Sequence, residues 1–240
     1  MGAHWQVMEL YAQMGRMGVF REARAILDVG SCDVSCEENA DPVARFLENV
    51  GKPHTLSAED APRYANGPAR RLFEALGYHY DCVDIDRRPG TIPLDLNYDS
   101  TPIAMKNFYD IVLNNGTTEH ILNQFKCFKF IHEVTAPGGY IFHHLPFIGH
   151  FNHGLFNYQP DFFVELAKSN RYSLEGLWIS NDGPGYEPFE NNAPPETSHA
   201  IIFVLQRKLL NSPFRAPYNW NGSDTMAGEE FVPLHARTTN

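Results

Sequence analysis

His143, His144, His150 and His153 fall within eleven residues, and His120 lies upstream of them. An imidazole near its ordinary pKa of about 6.5 can take a proton from a hydroxyl while that oxygen forms a new bond. Histidines also ligate metals, but His143 and His144 are neighbours in a strand-like run and should point to opposite faces. No HExxH pattern or carboxylate pair accompanies them, and the acids to hand are Asp161 and, at a distance in sequence, Glu119. No metal ligand is therefore assigned, and a lone general base is preferred, with packing or hydrogen bonding as the alternative. His153, flanked by Asn152 and Gly154, is the expected base or acceptor contact, and His120 is expected to orient the site. His150, Asn157 and Tyr158 are the expected substrate contacts. Phe142, Phe147, Phe151 and Phe156 make the region aromatic, as an apolar acceptor pocket or as core under a long loop.

A second set of residues marks a nucleotide-type site. In AILDVGS, an apolar run ends at Asp28 and Gly30, the pattern of a buried strand turning sharply toward a ligand. YDCVDID ends in Asp84 and Asp86, and an acid at such an edge accepts two hydrogen bonds from a ribose diol. TIPLDLN carries Asp95, and YDIVLNNG ends in Asn114, Asn115 and Gly116. A dinucleotide Gly-x-Gly-x-x-Gly fingerprint is absent, as is the Lys-Ser or Lys-Thr of a P-loop.

The elements that must position these residues can be read in order. A helix is expected from Gly2 to about Arg16, then strands at Ala25 to Val29, Tyr80 to Ile85, Thr91 to Asn97, and Tyr109 onward. About fifty residues separate the first two strands, whereas a βαβ crossover needs about a dozen. Residues 35–65 therefore read as a helix-containing insert inside the glycine turn, with Asp41 to Val50 as one amphipathic helix. Such inserts are more often lids or substrate walls than packing ornaments. Asn66-Gly67 would return the chain to the ligand, ahead of a helix in ARRLFEALGY. A long helix from Glu119 to Val134, a fifth strand at Tyr140 to His144, a helix opened by Pro160 and two further strands complete the domain. That domain spans 1–209, and 210–240 reads as an extended arm.

Composition narrows the partners. The net charge of −10 over 240 residues argues against a nucleic-acid backbone. No apolar run approaches the roughly 20 residues that span a bilayer, and Met1 to Met17 lacks a signal peptide's apolar region. A cytoplasmic protein is the default expectation. The four cysteines are too scattered for a disulfide framework.

Together, AILDVGS, NGPARRLFEALGY, YDCVDID, YDIVLNNGTTEHI and VTAPGGYIFHHLP resemble the class I S-adenosylmethionine-dependent methyltransferases. The resemblance spans about Ala25 to Leu209 and departs from the family at the 35–65 insert and at Cys32, where a second glycine is common. It implies an α/β fold: a Rossmann-like, seven-stranded, mostly parallel sheet with its last strand antiparallel and helices on both faces. It implies S-adenosylmethionine as cofactor, with Asp28, Gly30 and Ser31 at its methionine end and Gly67 nearby. Asp84 would hold the ribose, Asp95 and Leu96 the adenine, and Asn114 would close the pocket beneath the sulfonium. The acidic surface and aromatic loop suit a small-molecule acceptor, at a hydroxyl of a sugar or natural product, and leave a homodimer open. Two rivals stand beside this reading: a catalytically silent binding module of the same fold, and an enzyme using this cofactor or a metal for another reaction.

Overall fold

The computed structural model describes residues 2–181, 185–189 and 197–218. β1 (Ala3–His4) leads straight into α1 (Trp5–Arg16), and β2 (Ala25–Val29) follows. Next come β3 (Asp33–Ser35), α2 (Asp41–Asn49), α3 (Ala61–Tyr64), β4 (Asn66–Pro68) and α4 (Ala69–Ala75). β5 (His79–Asp84), β6 (Thr91–Pro93), β7 (Tyr109–Asn115), α5 (Gln124–Val134) and β8 (Thr135–Ile148) continue the chain. α6 (Pro160–Asn170), β9 (Tyr172–Asn181), β10 (Glu187–Pro188) and β11 (Ala200–Lys208) complete it.

The main sheet runs in the order β10-β9-β11-β8-β7-β2-β5-β6. β2 pairs in parallel with both β5 and β7, β5 with β6, and β7 with β8. β11 is antiparallel to β8 and to β9. The expected Rossmann-like sheet with an antiparallel last strand is present, widened to eight strands by the two-residue β10 on β9. Strand order reverses beside β2: β5 and β6 lie on one side of it, β7 and β8 on the other. A crevice opens beyond the carboxyl ends of the strands at such a reversal.

Alternation along β2 sends its side chains to two separate cores. Ala25, Leu27 and Val29 face the core that α5 and α6 complete, with Phe128, Ile131, Phe163 and Leu166. Ile26 faces the other, built from α1, α2 and α4 through residues such as Tyr11, Phe46 and Phe73. α1 buries Val7, Met8, Leu10, Tyr11 and Met14. The helix begins at Trp5 rather than Gly2 because Ala3 and His4 pair with Val34 and Ser35.

The insert is anchored at its base and through its helix. β3 and β4 pair antiparallel, and with β1 they make a second, three-stranded sheet. Val43, Phe46 and Leu47 of α2 are buried, and Phe46 packs against Phe20 at 5.1 Å and Tyr11 at 5.9 Å between ring centroids. Each such side chain contributes about 1.5–3 kcal/mol by leaving water. The helix of the expected lid or substrate wall is thus already seated in the core.

After β11 the arm runs on without helix or strand as far as Tyr218. Ser212 O accepts from His132 Nε2 at 2.6 Å, and Asn170 exchanges hydrogen bonds with both backbone groups of Arg215. Residues 219–240 of the expected arm lie outside the described residues.

Candidate active site

A cavity of 330 Å³ opens at the carboxyl ends of β2, β5, β6 and β7. Ser31 enters it from the turn after β2, Asp84 from the end of β5, and Asp95 and Leu96 from the segment after β6. Gly116 and Thr117 follow β7, and His120 stands at the same rim. Val83, Ile85, Leu94 and Ile121 supply apolar walls. Ser31, Asp84, Asp95, Leu96 and His120 are thus five of the expected site residues brought to one cavity.

Asp84 fixes the turn geometry. Its Oδ2 accepts from the Ser31 N–H at 2.7 Å, and its Oδ1 from the N–H groups of Ile85 at 2.6 Å and Asp86 at 3.1 Å. A carboxylate has about four lone-pair positions, so capacity remains for a hydroxyl donor. Asp95 accepts from the Asn97 N–H at 2.9 Å through Oδ1, and its own N–H is taken by Asp99 at 2.8 Å, which sets the loop that carries Leu96. Gly30 has φ +98°, a region where side chains are strained, and a Cβ there would lie 2.0 Å from Thr117 Oγ1. The glycine is needed to let the post-β7 turn close on the post-β2 turn.

Other expected cofactor residues are placed elsewhere. Asp28 shares the Ile26 face of β2, so alternation turns it away from the cavity and under α1. There it accepts hydrogen bonds from Tyr80 Oη and, at 3.1 Å, from Asn115 Nδ2, which also donates to Tyr11 Oη. Burial pushes its carboxyl up to about 7, against the pull of those donors. Asn114 is fully buried, donating to Thr118 Oγ1 at 2.9 Å and bonded to His143 Nδ1 at 3.1 Å, and it is Gly116 and Thr117 that line the cavity after β7. Gly67 is occupied in pairing with Val34.

His143 and His144 do point to opposite faces. His143 packs on Phe128 and Phe163, while His144 stacks on Phe203 and lies 3.2 Å from His4 Nε2. Burial pushes His143 down to about 3 and His144 well below the ordinary value, so both are neutral structural groups.

The loop after β8 delivers His153 next to His120, at 5.1 Å between ring centroids, behind the cavity wall that His120 forms. His150 and Asn152 take left-handed backbone angles, and His153 N–H donates to His150 O at 3.1 Å in a tight turn. The loop is then pinned on Glu119, whose carbonyl accepts from Leu155 N at 2.7 Å and Phe156 N at 3.2 Å. Gly154 fits against Glu119, where a Cβ would come within 2.9 Å of its Cγ. His150, Asn157 and Tyr158 frame the loop: they bond to Ala200 O at 3.1 Å, Gly149 O at 2.8 Å and Gln124 Oε1 at 2.6 Å. His150 also lines a separate cleft with Trp5, Ser180 and His199.

Glu119 was not among the expected site residues, yet the site turns on it. Its side chain is 0% exposed and lies 3.7 Å from His120 Nε2 and 3.5 Å from His153 Nε2. Burial pushes its carboxyl up to about 7. The His153 imidazole is pushed down by burial and then by its neighbours His120 and His150. The sequence signal was the Glu119-His120 pair itself, which read as the start of a helix. Instead, Thr118–His120 form a separate 3₁₀ turn, and α5 begins at Gln124, capped by Asn123 Oδ1 accepting from Lys126 N.

No family model matches the chain, and no curated protein matches it. Solved structures that it resembles include the Burkholderia thailandensis 1,6-didemethyltoxoflavin-N1-methyltransferase with 1,6-didemethyltoxoflavin and S-adenosylhomocysteine bound. Identity there is 14%, over 84% of this chain and 77% of that one, with a TM-score of 0.47. A SAM-dependent methyltransferase from Archaeoglobus fulgidus shows 13% identity over 84% of this chain and 94% of that one, at 0.44. An S-adenosylmethionine-dependent methyltransferase from Mesorhizobium loti shows 12% over 83% and 97%, at 0.40. At such identities and scores the likeness assigns no substrate and no residue role to this chain.

Proposed function

We propose that this protein is an S-adenosylmethionine-dependent methyltransferase that acts on a small molecule, at a hydroxyl. The observation that carries the reading is the cavity at the strand-order reversal, with Asp84 and Asp95 at successive strand edges and the Gly30–Ser31 turn beside them. These groups fit the cofactor: a carboxylate to accept from a ribose hydroxyl, a second to accept from an exocyclic amine, and apolar walls from Val83, Ile85, Leu94, Leu96 and Ile121 for a purine. Asp28 would act from beneath, holding Tyr80 and Asn115 so that the turn above keeps its shape.

The cofactor, when bound, supplies a methyl group already activated on a sulfonium. The chain's own task is then alignment, exclusion of water and disposal of the acceptor's proton. His120, at the cavity rim, orients the acceptor side. His153, neutral because burial and neighbouring imidazoles hold its pKa down, faces Glu119 through Nε2, so it would accept the hydroxyl proton at its other ring nitrogen, Nδ1, with Glu119 stabilising the imidazolium from the Nε2 side. Calorimetric titration with S-adenosylmethionine and S-adenosylhomocysteine tests the reading. Saturable binding at micromolar cofactor, followed by label transfer from methyl-labelled cofactor in an acceptor screen, is the expected result. No heat of binding at millimolar cofactor would end it.

A further inference from the structure

The cluster at the cavity rim has more unmet bonding capacity than a general base needs. Glu119, His120 and His153 each offer one ligand atom, and these atoms lie within 4.8 Å of one another. Glu119 Oε1 stands 3.7 Å from His120 Nε2 and 3.5 Å from His153 Nε2, and neither contact is a hydrogen bond. Both Glu119 oxygens and His153 Nε2 are buried without a hydrogen-bond partner. Leaving a buried carboxylate and an imidazole nitrogen so orphaned is strongly unfavourable. One cation between them answers Glu119 Oε1 and His153 Nε2 together.

We propose that Glu119, His120 and His153 bind one divalent transition-metal ion, whose open coordination positions face the cavity. The spacing suits this. Zinc bonds of about 2.1 Å to nitrogen and oxygen put tetrahedral ligands about 3.4 Å apart, so the 3.5 and 3.7 Å Glu119 separations need little closure, and the two imidazoles, whose ligand atoms lie within 4.8 Å, need at most about 1.4 Å. The frame is built without the ion, since the Leu155 and Phe156 N–H groups on Glu119 O and the packing of Gly154 on the Glu119 side chain bring His153 to Glu119. Two imidazoles and one carboxylate favour zinc, manganese, iron or cobalt over magnesium and calcium. Three protein ligands leave positions for water or substrate, and His120 shares the cavity wall. That an acceptor oxygen takes one of those positions rests on the methyl-transfer reading. The ion's charge would then ease loss of the hydroxyl proton to solvent, and His153 would be a ligand rather than the base.

The test uses full-length protein stripped with chelator, titrated with cobalt(II) chloride and followed by calorimetry and visible absorption. One equivalent should bind, with ligand-field bands of low coordination number, and zinc chloride should displace it. Glu119→Gln and His153→Asn should each weaken binding by more than about 100-fold, since loss of a supporting residue alone can cost 10–100-fold. Metal-free Glu119→Gln should melt no lower than the wild type, because a neutral amide replaces an orphaned carboxylate, so a fold defect will not imitate the result. Wild-type melting should rise with metal while that of Glu119→Gln should not. Failure of cobalt to bind, or equal binding by both variants, overturns the site. Cofactor titration of the metal-free protein is read separately, so loss of the methyl-transfer reading and loss of the metal site leave different records.

Discussion

Replacing Asp84 by alanine is the sharpest probe of the cavity. Its carboxylate already accepts three backbone N–H groups, from Ser31, Ile85 and Asp86, at 2.7, 2.6 and 3.1 Å. Those bonds leave about one lone-pair position on a carboxylate that lines the cavity, and they hold the Ser31 turn against β5. Hydrogen bonds to charged groups are worth about 1.5–3 kcal/mol, which corresponds to roughly 10- to 150-fold in dissociation constant. Asp84→Ala should therefore weaken S-adenosylmethionine and S-adenosylhomocysteine by that factor in calorimetry. The freed N–H groups of Ile85 and Asp86 are exposed and can turn to water, so the melting temperature should fall only slightly. Asp84→Asn keeps an acceptor for the turn but loses the charge, and its affinity should lie between the two. Wild-type affinity in both variants, with melting unchanged, would remove Asp84 from the cofactor and with it the placement of the ribose.

The remaining predictions concern proton linkage and the insert. His143 is held near 3 and His4 near 4, both below the unfolded value of 6.5, so the unfolded chain binds their protons first and stability falls as pH drops from 6.5 toward 3. Asp28 and Glu119, raised to about 7, oppose this between their unfolded values near 4 and pH 7. His143→Gln removes one buried imidazole, so its urea-derived stability below pH 6 should fall less steeply than the wild type's, by up to about 1.4 kcal/mol per pH unit; identical slopes would refute the buried neutral state. Hydrogen exchange should show α2 amides protected without cofactor, because Phe46 is already in the core; protection that appears only on cofactor binding would restore the lid.

Strong local patterns were legible and long-range ones were not. Ala25–Val29 could be read because a buried parallel strand is a short apolar run, and Asp41–Asn49 because proline and an acid open an amphipathic turn. β1, β3 and β4 are too short for any periodicity, and only their mutual pairing makes them strands. β8 starts earlier than expected, at Thr135, and runs on through Pro146, while the breaker signal of Pro137-Gly138-Gly139 is expressed as a shift of register between Thr135, opposite Tyr109, and Tyr140, opposite Ile111. Asp84, Asp95 and Ser31 line one cavity as expected because strand-end position is a property of local sequence. Asp28 was misdirected by one step of alternation, and Glu119 by a helix that begins five residues later. The meeting of Glu119 with His153 depends on a loop-to-loop backbone contact that no spacing announces.

The two-core arrangement bears on the order in which the chain can assemble. Apart from Ile111, Leu113, Phe142, Trp178, Phe203 and Leu205, the core beneath α1, α2 and α4 is made of residues no later than Cys82. The opposite core takes only Ala25, Leu27 and Val29 from that part of the chain. Residues up to about 84 can therefore collapse on one face of the β2–β5 pair while the rest is still being synthesised, with mostly short sequence separations to close. Until β7 arrives, however, the far edge of β2 and its other face stay open to solvent. The early product is half a sandwich, and its bare side is where mispairing between chains would begin.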